Sequence, residues 1–218
     1  MEHPIRLIPS IASADQLHIA DEIDRVKSWD MLHIDIEDGN FVPNITFGEK
    51  TVRAVSRYTP QQLDGHILAN GPEQYLELFA DCGFRRAAAH LEALPYPLMF
   101  LNKARELGMR SGLALNFATP AEAVLPFISA ADYVIVMTSE PDGKGQQFFP
   151  PILEKISRLR AILPQETEIW ADGGINESNM RQVTAAGADT LIMGRCVFGS
   201  PSPIDTLQKL QDDLRNKD

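Results

Sequence analysis

The stretch Met31-Leu32-His33-Ile34-Asp35-Ile36 is a short apolar run broken by two polar groups, and Leu63-Asp64-Gly65-His66-Ile67-Leu68 has the same character. Between them, Lys50–Arg57 is amphipathic with a helical period. An apolar run of this length, bounded by polar segments, reads as a buried strand. Two such runs joined by an amphipathic helix form the unit from which parallel sheets are built. The chain repeats this unit from end to end. Further strands are expected at Ile5–Pro9, Arg86–His90, Ser111–Asn116, Tyr133–Met137, Glu168–Ala171 and Thr190–Gly194. Further helices are expected at Leu17–Ser28, Glu73–Cys82, Leu98–Leu107, Pro120–Ile128, Pro151–Leu163, Asn179–Ala186 and Pro203–Arg215.

Local signals mark the ends of these elements. Thr119-Pro120-Ala121-Glu122 reads as a capping box with proline in the first turn. Gly71-Pro72-Glu73 and Ser202-Pro203 also place proline where its missing N–H is harmless. Gly83, Gly108 and Gly187 suit the left-handed residue that closes a helix, and Ala186-Gly187-Ala188-Asp189 feeds the last strand. Eight strand–helix units in 218 residues predict an α/β fold, a (β/α)8 TIM barrel at the short end of its size range, as one domain spanning 1–218. A doubly wound open sheet is the rival. It would carry a glycine-rich first turn, and here the first strand ends Ile8-Pro9-Ser10.

Composition removes several function classes. A net charge of −10 offers no basic face to a phosphate backbone, so no nucleic-acid partner is expected. No apolar stretch reaches the length of a membrane span. Met1-Glu2-His3-Pro4 lacks the basic start and apolar core of a secretory signal, which predicts a cytoplasmic setting and discounts the sequons at Asn44 and Asn176. Cys82 and Cys196 are too few and too far apart for a disulfide framework and are expected to be buried, reduced thiols.

In such barrels functional groups gather at the C-terminal ends of the strands. Here those ends supply Ser10, His33 with Asp35, His66, His90 with Glu92, Asn116, Met137, Asp172 and Gly194, a strongly polar set. His33 and Asp35 lie two apart and point to the same side of a strand. With His66 and Asp172 they offer two imidazoles and two carboxylates, a donor set for one divalent ion such as Zn, Mn, Fe or Co. Gly173 and Gly174 after strand seven, and Gly194 and Arg195 after strand eight, fall in the loops that in barrels present backbone N–H groups or a short helix to a phosphate. Gly143-Lys144-Gly145-Gln146 after strand six is placed to close over it. His3, His18, Trp29, Trp170, Phe148 and Phe149 read as solvated or packing residues.

These residues resemble the ribulose-phosphate 3-epimerase family over about Ile5 to Ser200. The likeness is carried by Pro9-Ser10-Ile11-Ala12-Ser13-Ala14-Asp15, His33-Ile34-Asp35-Ile36-Glu37-Asp38-Gly39 with Phe41-Val42-Pro43-Asn44, and Leu63-Asp64-Gly65-His66. Gly112-Leu113-Ala114-Leu115-Asn116, Val136-Met137-Thr138 and Asp172-Gly173-Gly174-Ile175 extend it. The resemblance implies a metal-dependent epimerase that inverts carbon 3 of a ketose phosphate through an enediolate. It implies that His33, Asp35, His66 and Asp172 hold the metal and that Asp35 and Asp172 exchange the proton. It also implies that Ser10, Asn116, Met137 and the glycine loops hold the substrate, and that the chain is a homo-oligomer. A metal suits this chemistry because a proton beside a ketone is too weakly acidic for a carboxylate unless the developing oxyanion is stabilised.

The departures from the family pattern cluster around the substrate. Glu37 and Leu68 stand where methionines are usual, and Arg195 stands where serine is usual. Asp142 to Gln146 replaces a Gly-Phe-Gly-Gly-Gln pattern; Asp142 would repel a phosphate and Lys144 would attract it. Glu37, Leu68 and Lys144 are therefore the candidate specificity positions, and a sugar phosphate other than ribulose 5-phosphate is the expected preference. Two alternatives remain from the sequence. One is a lyase or decarboxylase using a similar enediolate, which calls for a lysine that is not found beside His33 or Asp35. The other is a non-catalytic sugar-phosphate-binding or regulatory barrel, which would be expected to lose ligands.

Overall fold

The computed structural model describes residues 5–142 and 145–216. Among these, eight parallel strands form one sheet: β1 Arg6–Pro9, β2 Met31–Glu37, β3 Gln62–Leu68, β4 Arg86–His90, β5 Arg110–Leu115, β6 Tyr133–Met137, β7 Glu168–Asp172 and β8 Thr190–Met193. The strand order is β1-β8-β7-β6-β5-β4-β3-β2, and a parallel bridge between Ser10 and His33 brings the two ends together into a barrel. Helices α1 Ile19–Asp24, α2 Glu49–Tyr58, α3 Leu76–Asp81, α4 Pro97–Glu106, α5 Ile152–Ile162, α6 Met180–Ala185, α7 Arg195–Phe198 and α8 Pro203–Arg215 alternate with them. The crossover after β5 is a 3-10 helix, Ala121–Ala130, with Pro126 inside it.

The pleat sorts each strand into two cores. On β2, Leu32, Ile34 and Ile36 pack outward in the layer between sheet and helices, so His33, Asp35 and Glu37 turn into the barrel. A separate apolar cluster plugs the lower barrel, with Met31, Ala88, Tyr133, Ile135 and Trp170 at its centre. Trp170 is completely buried; a ring of its size removes about 150–250 Å² from water, which contributes about 4–6 kcal/mol. Its neighbour Tyr133 lies over Gly112, where a Cβ would stand 2.6 Å from the ring, so only glycine fits that position of β5. At the floor, Glu168 accepts from Arg110 and Arg6 and from the Trp170 indole. This plug confines the open part of the barrel to the C-terminal ends of the strands.

Several local expectations are corrected. The capping box at Thr119–Glu122 does not form: Pro120, in extended conformation, takes the cap position, and the Thr119 hydroxyl donates to Glu92 instead. The first helix is shorter than Leu17–Ser28, because an Asp15 turn holds the Leu17 N–H and Arg25 is drawn to the carbonyl of Ser200. Glu73–Cys82 divides into a 3-10 turn, Pro72–Tyr75, and α3. Gly194 lies outside β8 and leads into α7. Cys82 and Cys196 are free but half-buried. His18 is exposed against Asp15, Trp29 donates to the Leu7 carbonyl, and His3 lies outside the described residues.

Candidate functional site

The register of β2 on β3 pairs His33 with Asp64 and Asp35 with His66. Because paired residues face the same way, two His–Asp pairs stack inside the barrel, and Asp172 reaches them from the end of β7. His33 Nε2 lies 3.0 Å from Asp35 Oδ1 and 3.8 Å from Asp172 Oδ2. His66 Nδ1 lies 3.3 Å and 3.2 Å from the same two oxygens. One donor atom from each of the four residues falls within 4.8 Å of all the others.

The surrounding groups hold this arrangement. Asp64 takes the far nitrogen of His33 at 2.5 Å and is itself approached by the Tyr133 hydroxyl at 3.3 Å. The Ser10 hydroxyl donates to Asp35 Oδ2 at 2.7 Å, leaving Oδ1 to the imidazoles. Thr46 ties the Asp35 carbonyl and the Glu37 N–H together. Burial works against charge on His33, but the carboxylates of Asp35 and Asp64 outweigh it and raise its pKa well above the usual value. His66 is raised in the same way by Asp172 and Asp35. Burial would raise Asp35, yet the two imidazoles hold it far below the ordinary carboxylate range. In the protein alone, then, the imidazoles and the Asp35 carboxylate favour each other's charged forms. A divalent cation would supply the positive charge directly, and the residues present fit one.

Above the cluster opens a cavity of about 740 Å³. Ser10, Asp35, Glu37, Leu68, Met137 and Asp172 form its depth, and Gly145, Gln146, Gly173, Gly174, Gly194 and Arg195 its mouth. Gly174 has φ +68°, and a Cβ there would stand 2.5 Å from the Gln146 carbonyl and 2.6 Å from the Phe148 N–H. The loop after β6 thus lies directly on the Gly-Gly turn, and Arg195 Nη2 donates to the same Gln146 carbonyl at 2.8 Å. Glu37 is almost wholly buried in the opposite wall, where Asn44 donates to its Oε2 at 2.7 Å. Burial, with Asp35 nearby, pushes its carboxyl up to about 7. Val42, Leu68 and Met137 form an apolar patch beside it.

Asn116 is not among the cavity-lining residues; its N–H donates to Glu92 and its carbonyl accepts from Lys155. Asp142 accepts from the Gln146 N–H within its own loop and does not line the cavity either. Gly143 and Lys144 lie outside the described residues. Asn44, Thr46, Ser13 and Asn176 line the cavity without having been expected there as site residues. Asp64 was also missed, although Asp64 and His66 repeat the i, i+2 spacing of His33 and Asp35. Phe149 is half-exposed and stacks on Phe117, at 5.1 Å between centroids.

Residues 6–198 match the pattern of the ribulose-phosphate 3-epimerase family. Ribulose-phosphate 3-epimerases of Schizosaccharomyces pombe and Synechocystis are 34% and 35% identical to this chain; the matches cover 96% and 99% of it, and 93% and 96% of those proteins. The cytoplasmic isoform from Oryza sativa is 34% identical, over 97% of this chain and 96% of its own. In fold, the chain is similar to 3-hexulose-6-phosphate synthase from Salmonella typhimurium, with a TM-score of 0.71 at 16% identity over 97% of this chain and 99% of that one. No helix among the described residues is long and apolar enough to cross a membrane.

Proposed function

Because the chain belongs to the ribulose-phosphate 3-epimerase family, we propose that it inverts carbon 3 of a ketose phosphate, with Asp35 and Asp172 as the two proton-transfer groups. The observation that carries this reading is that carboxylates from two separate strands, β2 and β7, flank one pair of imidazoles at the floor of an open cavity. Inversion needs a group on each face of the reacting carbon, since a single base returns the proton to the side it came from. His33, Asp35, His66 and Asp172 would hold one divalent ion, with Zn, Mn, Fe and Co all suited to the donor set. When bound, the ion supplies Lewis-acid stabilisation of the charge that develops on the substrate oxygens.

The rest of the work falls to the chain itself. Asp35, held by Ser10, and Asp172 take and return the carbon-3 proton. Leu68 and Met137 exclude water from the reacting carbons. Gly145, Gln146, Gly173, Gly174 and Gly194 hold the phosphate with their backbone groups, and the Arg195 guanidinium closes over it. That leaves Glu37, in the wall remote from these loops, facing the carbon-1 end of the sugar, where its carboxyl binds the hydroxyl. The substrate is ribulose 5-phosphate or a related ketose phosphate, and the departures at Glu37, Leu68 and Arg195 from the family's usual residues support a preference for a related one. A lyase or decarboxylase of this kind calls for a lysine beside the strand-two aspartate, and the sequence has none beside His33 or Asp35, which favours epimerisation. All four metal donors are present, which favours catalysis over mere binding. Two free thiols and the name of the rice relative support a cytoplasmic setting.

The test is exchange of the carbon-3 proton with solvent deuterium across pentulose and hexulose phosphates. Asp35→Asn and Asp172→Asn should each lower interconversion of the two carbon-3 epimers by at least about 10²-fold. Full activity in both variants would refute the two-base reading.

A further inference from the structure

His66 turns only one of its nitrogens to the four-residue cluster. Its Nδ1 faces Asp35 and Asp172, while its Nε2 lies 3.0 Å from Nε2 of His90, at the end of β4. The two rings stack with centroids 5.0 Å apart at 21°, and both are completely buried. Two ring nitrogens at this distance share one proton: one donates and the other accepts. Two cationic rings so stacked would repel.

Which nitrogen donates is decided farther out. His90 Nδ1 lies 3.3 Å from Glu92 Oε2, off the line of the N–H, and no other acceptor among the described residues reaches it. The Glu92 carboxylate is already anchored, because its Oε1 accepts from the Asn116 N–H at 2.8 Å and from the Thr119 hydroxyl. A carboxylate attracts a proton and cannot supply one, so the Glu92 charge 3.3 Å away favours the proton on His90 Nδ1 and leaves a lone pair at Nε2. His66 must then donate from its own Nε2, so the neutral ring that a metal would bind has its lone pair at Nδ1, aimed into the cluster. Phe41 packs on the His90 ring at 4.9 Å and completes its enclosure.

We propose that Glu92 and His90 are positioning residues for the metal site, setting the tautomer and orientation of His66 so that Nδ1 is the ligand atom. The proposal rests on the metal-site reading above. Partners behind a metal-bound histidine typically account for 10–100-fold in metal affinity. The effect belongs to this chain's own hydrogen bonds, so it is read in binding rather than in turnover.

The experiment is competition between metal-stripped protein and a chromophoric chelator for Zn²⁺, with the Co²⁺ visible spectrum as a second readout and thermal melting of the stripped protein as the control for folding. His90→Phe keeps a buried ring but removes the acceptor; it should weaken Zn²⁺ binding about 10–100-fold and alter the Co²⁺ bands. His90→Gln, whose amide oxygen again accepts from His66, should recover much of that loss. Glu92→Ala, which removes the charge beside His90 Nδ1, should weaken binding several-fold and carries the test if His90→Phe does not fold. A wild-type protein that binds no divalent ion would overturn the metal-site reading and this proposal with it. A wild-type protein that binds Zn²⁺, with His90→Phe or Glu92→Ala binding it as tightly, would overturn the positioning role alone.

Discussion

Glu37→Met separates a specificity residue from a tolerated oddity in the site wall. Glu37 is two residues beyond Asp35 on the same face of β2, nearly buried, with Asn44 on one carboxyl oxygen at 2.7 Å. A hydrogen bond from a substrate hydroxyl to a charged group contributes about 1.5–3 kcal/mol, and to a neutral one about 1 kcal/mol. A value of about 1.5 kcal/mol, the low end for a charged acceptor, corresponds to about 10-fold in kcat/KM. The assay compares kcat/KM for xylulose 5-phosphate and its 1-deoxy analogue. The wild type should favour the hydroxylated sugar by about 10-fold, and Glu37→Met should lose most of that preference by falling only on the hydroxylated substrate. A preference unchanged by the substitution would refute the carbon-1 assignment. A stability readout accompanies it. The folded carboxyl holds its proton more tightly than the unfolded one, so Glu37 lowers stability progressively as pH rises from about 4.5 through about 7. The metal-free Glu37→Met protein should therefore gain in Tm over wild type at pH 8 and lose that gain at pH 4.

Three further outcomes follow from named contacts. Gly174→Ala forces a side chain into left-handed backbone, at about 1–2 kcal/mol, and into the Gln146 carbonyl; the loop after β6 should shift and KM should rise with a modest loss of Tm. Arg195→Ala should raise KM for a phosphorylated ketose about 10-fold or more while leaving the dephospho-sugar unaffected, since only the charged grip is lost. Burial would raise the pKa of Glu168, but Arg110 and Arg6 outweigh it and hold the group below its ordinary value, so its contribution is full above about pH 4.5 and is lost as pH falls through the folded pKa. Glu168→Gln should cost about 1–2 kcal/mol at pH 7, moderated because both arginines are over a third exposed, and the difference from wild type should narrow toward pH 3.

The alternation of apolar runs and amphipathic stretches was enough to read every strand to within a residue at either end, because a strand buried on both faces shows as a short, mostly apolar run even where single polar groups interrupt it. His33, Asp35, His66 and Asp172 were legible as a group for a related reason. Charged and polar residues at the ends of such runs are costly to bury unless they have work or partners there. The caps were less legible. Thr119 carried the pattern of a capping box, but its hydroxyl went to Glu92, a residue brought close only by the packing of β4 against β5.

By itself, then, the sequence determined the barrel, the strand ends and the identity of the four clustered residues, since these depend on periodicity and on the chemistry of single residues. Only the tertiary structure decided their pairing. The β2–β3 register set Asp64 behind His33, barrel closure set Ser10 on Asp35, and the stacking of β3 on β4 set His90 behind His66. It also decided that Asn44 takes one oxygen of Glu37 and that Arg195 reaches across to the loop after β6. Such contacts join residues far apart in the chain, and no local pattern records which of many acceptors a buried donor will meet.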